Sequence, residues 1–396
     1  MTHDEYDSVG RRVARARRLA GITQQQLADR AHVGLGTIRH VEQGRIPASP
    51  SFVASVARAL RVKPAHLYDT REDQVMEEPS ADSATISDLR SALDAYDDPR
   101  PEGAPLTLAA ISRGLGTVAR AIHQERYDEA APKLPPLLHH LYPLAEQSGR
   151  KGEQARAALH DAYRMAATIG GQYRQFDLAA LAHERHIHLA PSTGDPLRVV
   201  VSAYHRSTRH LQYADFRAGL RLLTRARDHL DASPEARAMA VQLDLRSAVL
   251  AARAGDGQEA DEYIAEARAI LDEFAPPERP YFNIDASALN TAVHWCALPV
   301  EQYDAAESLR RNDAVRVQDP TRPERVGHHH IDMARACVLH GDREKALVHL
   351  NEARRISPRR TRQHPQVRET VVTLAEQERR RDDTLAGFAR WAGIQV

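Results

Sequence analysis

The feature that most limits how this chain can fold is a series of short anchors, each ending in a small residue. YDEA ends at Ala130, FDLA at Ala179, FRAG at Gly219, GQEA at Ala260, YDAA at Ala306 and REKA at Ala346, at spacings of 49, 40, 41, 46 and 40 residues. Ala226, Ala267 and Ala353 follow three anchors by seven residues, and Ala167, Ser207, Ala248 and Ala334 precede four of them by twelve. Small side chains at these offsets let two antiparallel helices touch. Pro191 and Pro358 lie twelve past their anchors and predict the end of a second helix. One such hairpin cannot bury its apolar face alone, so the hairpins must stack and share a continuous core.

Composition agrees with an all-α chain. Aromatic residues make up 5% of 396, and β-branched runs are almost absent. That length leaves room for two or three domains. The formal net charge of zero hides an uneven distribution. Residues 1–68 carry 11 Lys/Arg against 5 Asp/Glu, whereas residues 69–102 carry 3 against 11. A basic head is the electrostatic footprint expected of phosphate binding. Cys296 and Cys337 are the only cysteines, which suits a reducing cytosol without disulfides. A charged N-terminus without an apolar segment predicts no signal peptide, and no run nears 18 apolar residues, so no membrane span is expected. We therefore expect a cytoplasmic protein.

Within the basic head, Thr23–Gly44 reads as two short helices joined by a tight turn. Thr23 and Gln26 have the spacing of a capping box. Leu27, Ala28 and Ala31 line the first helix, His32-Val33-Gly34 makes the turn, and Ile38 and Val41 face inward on the second. Gly44 stands where a helix ends in the left-handed conformation. Leu35, Gly36, Arg39 and His40 remain on the outer side. Val9, Val13, Ala16 and Leu19 predict a preceding helix closed by Gly21. Ser49-Pro50 opens another, lined by Val53, Val56 and Leu60, and Lys63-Pro64 opens a last short one with Leu67 inward. Arg11, Arg12, Arg15, Arg45 and Arg58 are candidates for phosphates.

TQQQLA, the turn and TIRHVEQG resemble the lambda-repressor-like (XRE-type) helix-turn-helix over residues 8–68. The resemblance implies a five-helix domain on double-stranded DNA, with Gln24 on a phosphate and base contacts from Leu35, Gly36 and His40, Arg39 nearby. Thr37 and Arg45 complete the expected DNA-binding set. It also implies an ion pair between Arg17 and Glu42. Gly34 departs from the usual Ser or Thr cap, and Gly36 has no side chain to read a base.

The recurring anchors resemble tetratricopeptide (TPR) repeats, most closely in ARACVLHGDREKALVHLNEARRISP, which implies a right-handed α-solenoid with a concave inner wall. Counting back from the anchors assigns to that wall Asp161, Arg164 and Thr168; Tyr204, Thr208 and Leu211; Gln242 and Leu245; Thr291, Trp295 and Leu298; and His328, Ile331 and Arg335, with Asn290 and His294 beside it. A mixed wall suits an extended peptide, and the expected ligand set is Arg164, Tyr204, Thr208, Gln242, Asn290, Thr291, Trp295, His328 and Arg335. The residues also allow a wall filled by its own side chains or by a partner's helix.

The expected domains are 1–69, the head; 70–104, an acidic linker with a short helix at Ile86–Tyr96; 105–358, the repeats; and 359–396, capping helices carrying Val367, Val371, Leu374, Leu385, Phe388 and Trp391. A helix-turn-helix head on such an array is similar to the peptide-responsive (RRNPP-type) regulators of Gram-positive bacteria. That likeness implies a homodimer on a palindromic operator, a short signalling peptide on the inner wall, and transmission through the Ile86–Tyr96 helix. The alternative is a DNA-bound regulator whose repeats only recruit a protein partner. His183, His186 and His188 and the run His328–His330 invite a metal. Structural zinc takes four ligands, and neither cluster has a cysteine nearby, so no metal or cofactor is expected. Nucleotide-binding and metalloprotease motifs are missing, and no catalysis is expected.

Overall fold

Every element among the described residues is helical. The computed structural model describes residues 8–68, 81–173, 175–274, 285–377 and 383–394. The head comprises α1 (Val9–Leu19), α2 (Gln24–Ala31), α3 (Leu35–Glu42), α4 (Pro50–Leu60) and a single 3-10 turn, Pro64–His66, where a fifth helix was expected. Ser8, Thr23 and Ser49 each accept a backbone N–H of the helix they precede, satisfying donors that a helix start leaves unpaired. Val9, Val13, Leu27, Ile38, Val41, Phe52, Val53, Val56 and Leu67 form its core. Leu19 does not join them and is 84% exposed. The inward face of α1 carries Val9, Gly10, Val13 and Ala14 and continues through Arg17, one helical turn past Val13.

Residues 69–80, the last of the expected head and the start of the expected acidic linker, lie outside the described residues. The helix after it, α5 (Ala81–Asp94), is built into the array. Ile86, Leu89 and Leu93 are buried in one cluster with α6 (Leu108–His123), α7 (Tyr127–Ala130), α8 (Leu134–Ala145), α9 (Gly149–Gln172) and α10 (Phe176–Leu189). The Tyr142 hydroxyl donates to the Ala92 carbonyl at 3.0 Å, and Arg90 pairs with Asp177 at 2.8 Å.

Antiparallel pairs follow: α11 (Pro196–Gln212) with α12 (Phe216–Arg227), α13 (Pro234–Arg253) with α14 (Gly257–Glu273), α15 (Ala288–Glu301) with α16 (Ala305–Asp313), and α17 (Pro323–His340) with α18 (Arg343–Ile356). The chain ends in α19 (Pro358–Gln363), α20 (Pro365–Glu376) and α21 (Asp383–Ala392). First helices pack on one another in order, α11 on α13, α13 on α15, α15 on α17, and α17 on α20. Val367, Val371, Leu374, Leu385 and Phe388 are buried in the last cluster, with Trp391 against it. Residues 378–382, between α20 and α21, lie outside the described ones.

Five turns between helices carry a left-handed residue: Glu125, Ala214, Gly255, Tyr303 and Gly341. Asp256, Asp304 and Asp342 follow three of these and cap the next helix. The anchor lies five residues past the left-handed residue at buried Ala130, Gly219, Ala260 and Ala346. The fifth anchor must be corrected. Ala306 is exposed, and the buried equivalent is Ser308, whose Oγ donates to the Cys296 carbonyl at 2.7 Å. YDAA imitates YDEA in sequence, but its tyrosine is the left-handed turn residue (φ 63) rather than the start of a helix.

The stack closes on itself. Ser357 Oγ donates to the Glu125 carboxylate at 2.8 Å, and the Arg359 guanidinium lies over the rings of Tyr127 and Tyr173, 5.3 and 4.9 Å from their centroids. The first and last pairs therefore touch. Between α9–α10 and α11 the packing is polar. His160 stacks on His186 at 3.7 Å, its Nε2 meets Ser202 Oγ at 3.1 Å, and Arg198 pairs with Asp161 at 2.8 Å.

Candidate nucleic-acid interface and inner wall

The head holds α3 by local chemistry at both ends. The capping box is complete: Gln26 N–H donates to Thr23 Oγ1 at 3.1 Å, and Thr23 N–H to Gln26 Oε1 at 2.8 Å. At the far end Gly44 is left-handed (φ 66), with Gly44 N–H on the Val41 carbonyl and Arg45 N–H on the His40 carbonyl. These paired bonds are the Schellman closure. The Arg17 guanidinium grips Glu42 through two bonds of 2.7 and 2.9 Å, planar fork against planar carboxylate. That pair fastens α1 to the end of α3.

A glycine that the sequence reading passed over sets the approach of those two helices. A Cβ on Gly10 would collide with the Val41 carbonyl, whose carbon would lie 2.9 Å away. Gly34 proves to be the residue capping α3, without a side-chain bond. There it costs only a few tenths of a kcal/mol relative to serine, less than the roughly 1 kcal/mol of a glycine inside a helix. Its φ of −58 suits any residue and its Cβ direction meets only Thr37 Oγ1 at 3.6 Å. Gly34→Ser is expected to raise the melting temperature slightly. A drop would show that the hydroxyl does not reach the α3 N–H groups.

The expected DNA-reading residues divide by exposure, and Leu35 packs against the core of the head. Gly36, Arg39, His40 and Arg45 are exposed, Leu35 and Thr37 half-buried, and Ile38 and Val41 face the core. Gln24 stands at the head of α2, but its Nε2 donates to Glu42 at 2.7 Å, so its amide belongs to the Arg17–Glu42 clamp.

The head is seated on the array. Tyr303 Oη donates to Ser49 Oγ at 3.2 Å, Arg58 donates to the Ala214 carbonyl at 2.9 Å, and Ala54 is buried with the α11–α15 cluster. Gln377 donates to the Arg45 carbonyl at 2.9 Å, and Arg11 lies 3.8 Å from Glu376. Arg12 donates to the Leu67 carbonyl at 3.1 Å. Three arginines expected on phosphates, Arg11, Arg12 and Arg58, are thus engaged with protein groups. Below Tyr303, Arg335 reaches Glu301 at 3.2 Å and the Val300 carbonyl at 2.9 Å, and Arg253 reaches Glu301 at 2.9 Å. Arg335, expected on the ligand wall, is buried in this network beneath the head.

The other wall residues divide. Tyr204, Thr208, Gln242 and Asn290 come together. Tyr204 and Thr208 share Arg246, with bonds of 3.0 and 3.2 Å, while Gln242 and Asn290 both donate to the Asp285 carbonyl at 2.8 Å. His328 lies 3.6 Å from Asp332 and edge-on to His364. Arg164 is buried in the polar layer near Asp161. Thr291 bonds its own helix at Ser287. Trp295 is turned away from this group, between Arg268 of α14 and Arg311 of α16. The two-residue slip at Ala306 accounts for the placement of Thr291 and Trp295, and counting from Ser308 brings Asn290 into register instead. Arg246, which joins this group, is not among the residues the repeat count picks out. Arg246 was legible, one helical turn past Gln242 on the same face.

Among the described residues no three metal-ligating side chains converge, and no helix is long and apolar enough to cross a membrane. Cys296 and Cys337 are buried, and burial pushes their thiols up to about 12 and about 11.

Residues 8–68 match a family model described as a helix-turn-helix domain. No curated protein matches the chain, and no solved structure does. The N-terminal head is a helix-turn-helix domain, and every described element of the chain is helical, which points to a DNA-binding regulator.

Proposed function

We propose that the protein is a cytoplasmic, sequence-specific transcription regulator that reads double-stranded DNA through α3. We further propose that its hairpins are a TPR-like solenoid which dimerises and senses a ligand, a short signalling peptide. The observation that carries the DNA reading is the exposed flank of Gly36, Arg39 and His40 on a helix clamped by Arg17–Glu42. In this reading the duplex meets that flank in the major groove, with Leu35 and Thr37 at its margin. A homodimer would present two heads to half-sites about 34 Å apart, or a multiple of that.

The polar group around Arg246 and Asp285 supports a small ligand over a recruited protein, which would want a broad apolar face. The seat of the head on Tyr303, Ala214 and Gln377 supports direct transmission from array to head. The α5 helix, first considered as the lever, has its apolar face spent inside the array. A ligand would shift the equilibrium only by binding one arrangement of head and array better than the other.

The test is a full-length protein carrying Arg39→Ala and His40→Ala, assayed by fluorescence anisotropy on an operator selected from random duplexes and on unrelated DNA. Each lost base contact costs about 1–3 kcal/mol of discrimination, so specific binding is expected to fall at least about tenfold while non-specific binding changes far less. Equal losses on both duplexes would refute base reading.

A further inference from the structure

On the inner wall, guanidinium groups outnumber the carboxylates that pair with them. Arg246 of α13 lies flat on the Tyr204 ring, 4.5 Å from its centroid, and donates to Tyr204 Oη and Thr208 Oγ1. No carboxylate among the described residues pairs with it. Arg360 of α19 makes no ion pair among the described residues, and its Nε is buried without a hydrogen bond. Arg325 of α17 shares a single carboxylate, Asp285, with Arg322, at 3.4 and 3.3 Å.

These cations act on common neighbours. Tyr204 Oη, which takes the Arg246 bond, donates to Gln242 Oε1 at 3.4 Å, Gln242 donates to the Asp285 carbonyl at 2.8 Å, and the Asp285 carboxylate pairs with Arg325. His328, one turn past Arg325, meets the ring of His364, one turn past Arg360, at 5.2 Å. Arg246 and Arg325 accordingly both bear on Tyr204 and His294, and Arg325 and Arg360 on His328. Burial alone would raise the Tyr204 phenol, yet Arg246 and Arg325 bring it below its ordinary value, so the local potential is positive. His294, His328 and His364 all stay neutral through burial and these charges, and add no counter-charge. Of the nearby acids, Asp332 is pushed up to about 7 by burial, with Glu301 adding to the rise. Glu125 and Glu324 act on Arg360 without pairing with it. Arg246, Arg325 and Arg360 are half-buried rather than sealed, so a ligand atom has access to them.

A cation drawn out of water without an anion is unfavourable, and an oxyanion offering two oxygens to a planar fork is its natural complement. We propose that Arg246, Arg325 and Arg360, with the Tyr204 hydroxyl, form a binding site for an oxyanion, the carboxylate or phosphate of an acidic ligand. This rests on the reading of the array as a ligand sensor and gives that ligand its charge. The head's DNA reading does not depend on it.

The experiment is isothermal titration of the full-length protein with inorganic pyrophosphate, with tetra-aspartate and with tetra-asparagine at matched ionic strength. Saturable binding of pyrophosphate, tetra-aspartate or both is expected, with none of tetra-asparagine. Pyrophosphate alone would point to a phosphorylated ligand, and tetra-aspartate alone to an acidic peptide. Arg246→Gln with Arg360→Gln is expected to weaken the bound anion about tenfold or more. Arg39→Ala with His40→Ala, which leaves the array intact, should bind as the wild type does. No saturable binding, or undiminished binding in that double variant, would each overturn the site. Operator binding, scored on the same samples, keeps that failure separate from failure of the DNA reading.

Discussion

Acidification below about pH 6.5 is expected to unfold the array. His160, His186 and His329 are buried, and burial first, then neighbouring charges, hold their imidazoles below the ordinary value, His186 at about 2 and His329 at about 3. His294 and His349 are held at about 4 and His364 at about 3, with His205 and His328 also well below. An unfolded histidine takes its proton near pH 6.5. Below that value the unfolded chain binds more protons than the folded one, and stability is lost as pH falls toward the folded values.

Buried carboxyls work in the other direction. Burial raises Asp244 and Asp332 to about 7 and Glu369 to about 8, so these groups take up protons in the folded state first, and acidification relieves them. Three buried carboxyls roughly offset three buried histidines, at about 1.4 kcal/mol per pH unit each. The half-buried histidines then decide the sign, and all five named here shift the same way. Even after solvent screening of these partly exposed groups, the net effect is a loss of stability as pH falls below about 6.5. Thermal melts across about pH 5 to 8 should show a maximum near pH 6.5 and a steep acid limb, and His186→Gln should flatten that limb. A melting temperature that climbs steadily on acidification would sink this account.

Gly10→Ala is expected to cost about 2–4 kcal/mol and to abolish operator binding. The new Cβ would occupy the space of the Val41 carbonyl, and backbone faces backbone there, so no side chain can swing aside. Relief requires α1 and α3 to part, which breaks the Arg17–Glu42 fork. Gly36→Ala provides the contrast. Nothing lies within 4 Å of its Cβ direction, so helix propensity should raise stability by about 1 kcal/mol. Melting and anisotropy on both variants decide the matter, and a Gly10→Ala protein that melts and binds as the wild type does would disprove the close approach.

What the sequence made legible follows the distance over which each feature is encoded. The Thr23–Gln26 box and the Gly44 closure lie within a few residues of one another and were readable directly. The hairpins were readable because small residues recur where helices touch, and all of Ala226, Ala267 and Ala353 are buried. The slip at Ala306 arose because a tyrosine and an aspartate can open a helix or form the turn before it, and only the backbone angle of Tyr303 tells which. The same slip misplaced Trp295. The role of Gly10 was hidden because its partner, Val41, belongs to another element. The seat of the head depends on Ser49 meeting a hydroxyl from a turn 254 positions away, and no periodicity encodes that.

The meeting of Glu125 with Ser357 has a consequence for how the molecule comes into being and how it tolerates change. A row of hairpins with free ends accepts another hairpin, or the loss of one, at modest cost. A row whose two ends shake hands has a fixed circumference, and any such change would pull the joint apart. Ribosomal synthesis must deliver α19 before that joint forms, so the earlier hairpins wait, incompletely braced, until nearly the whole polypeptide has emerged.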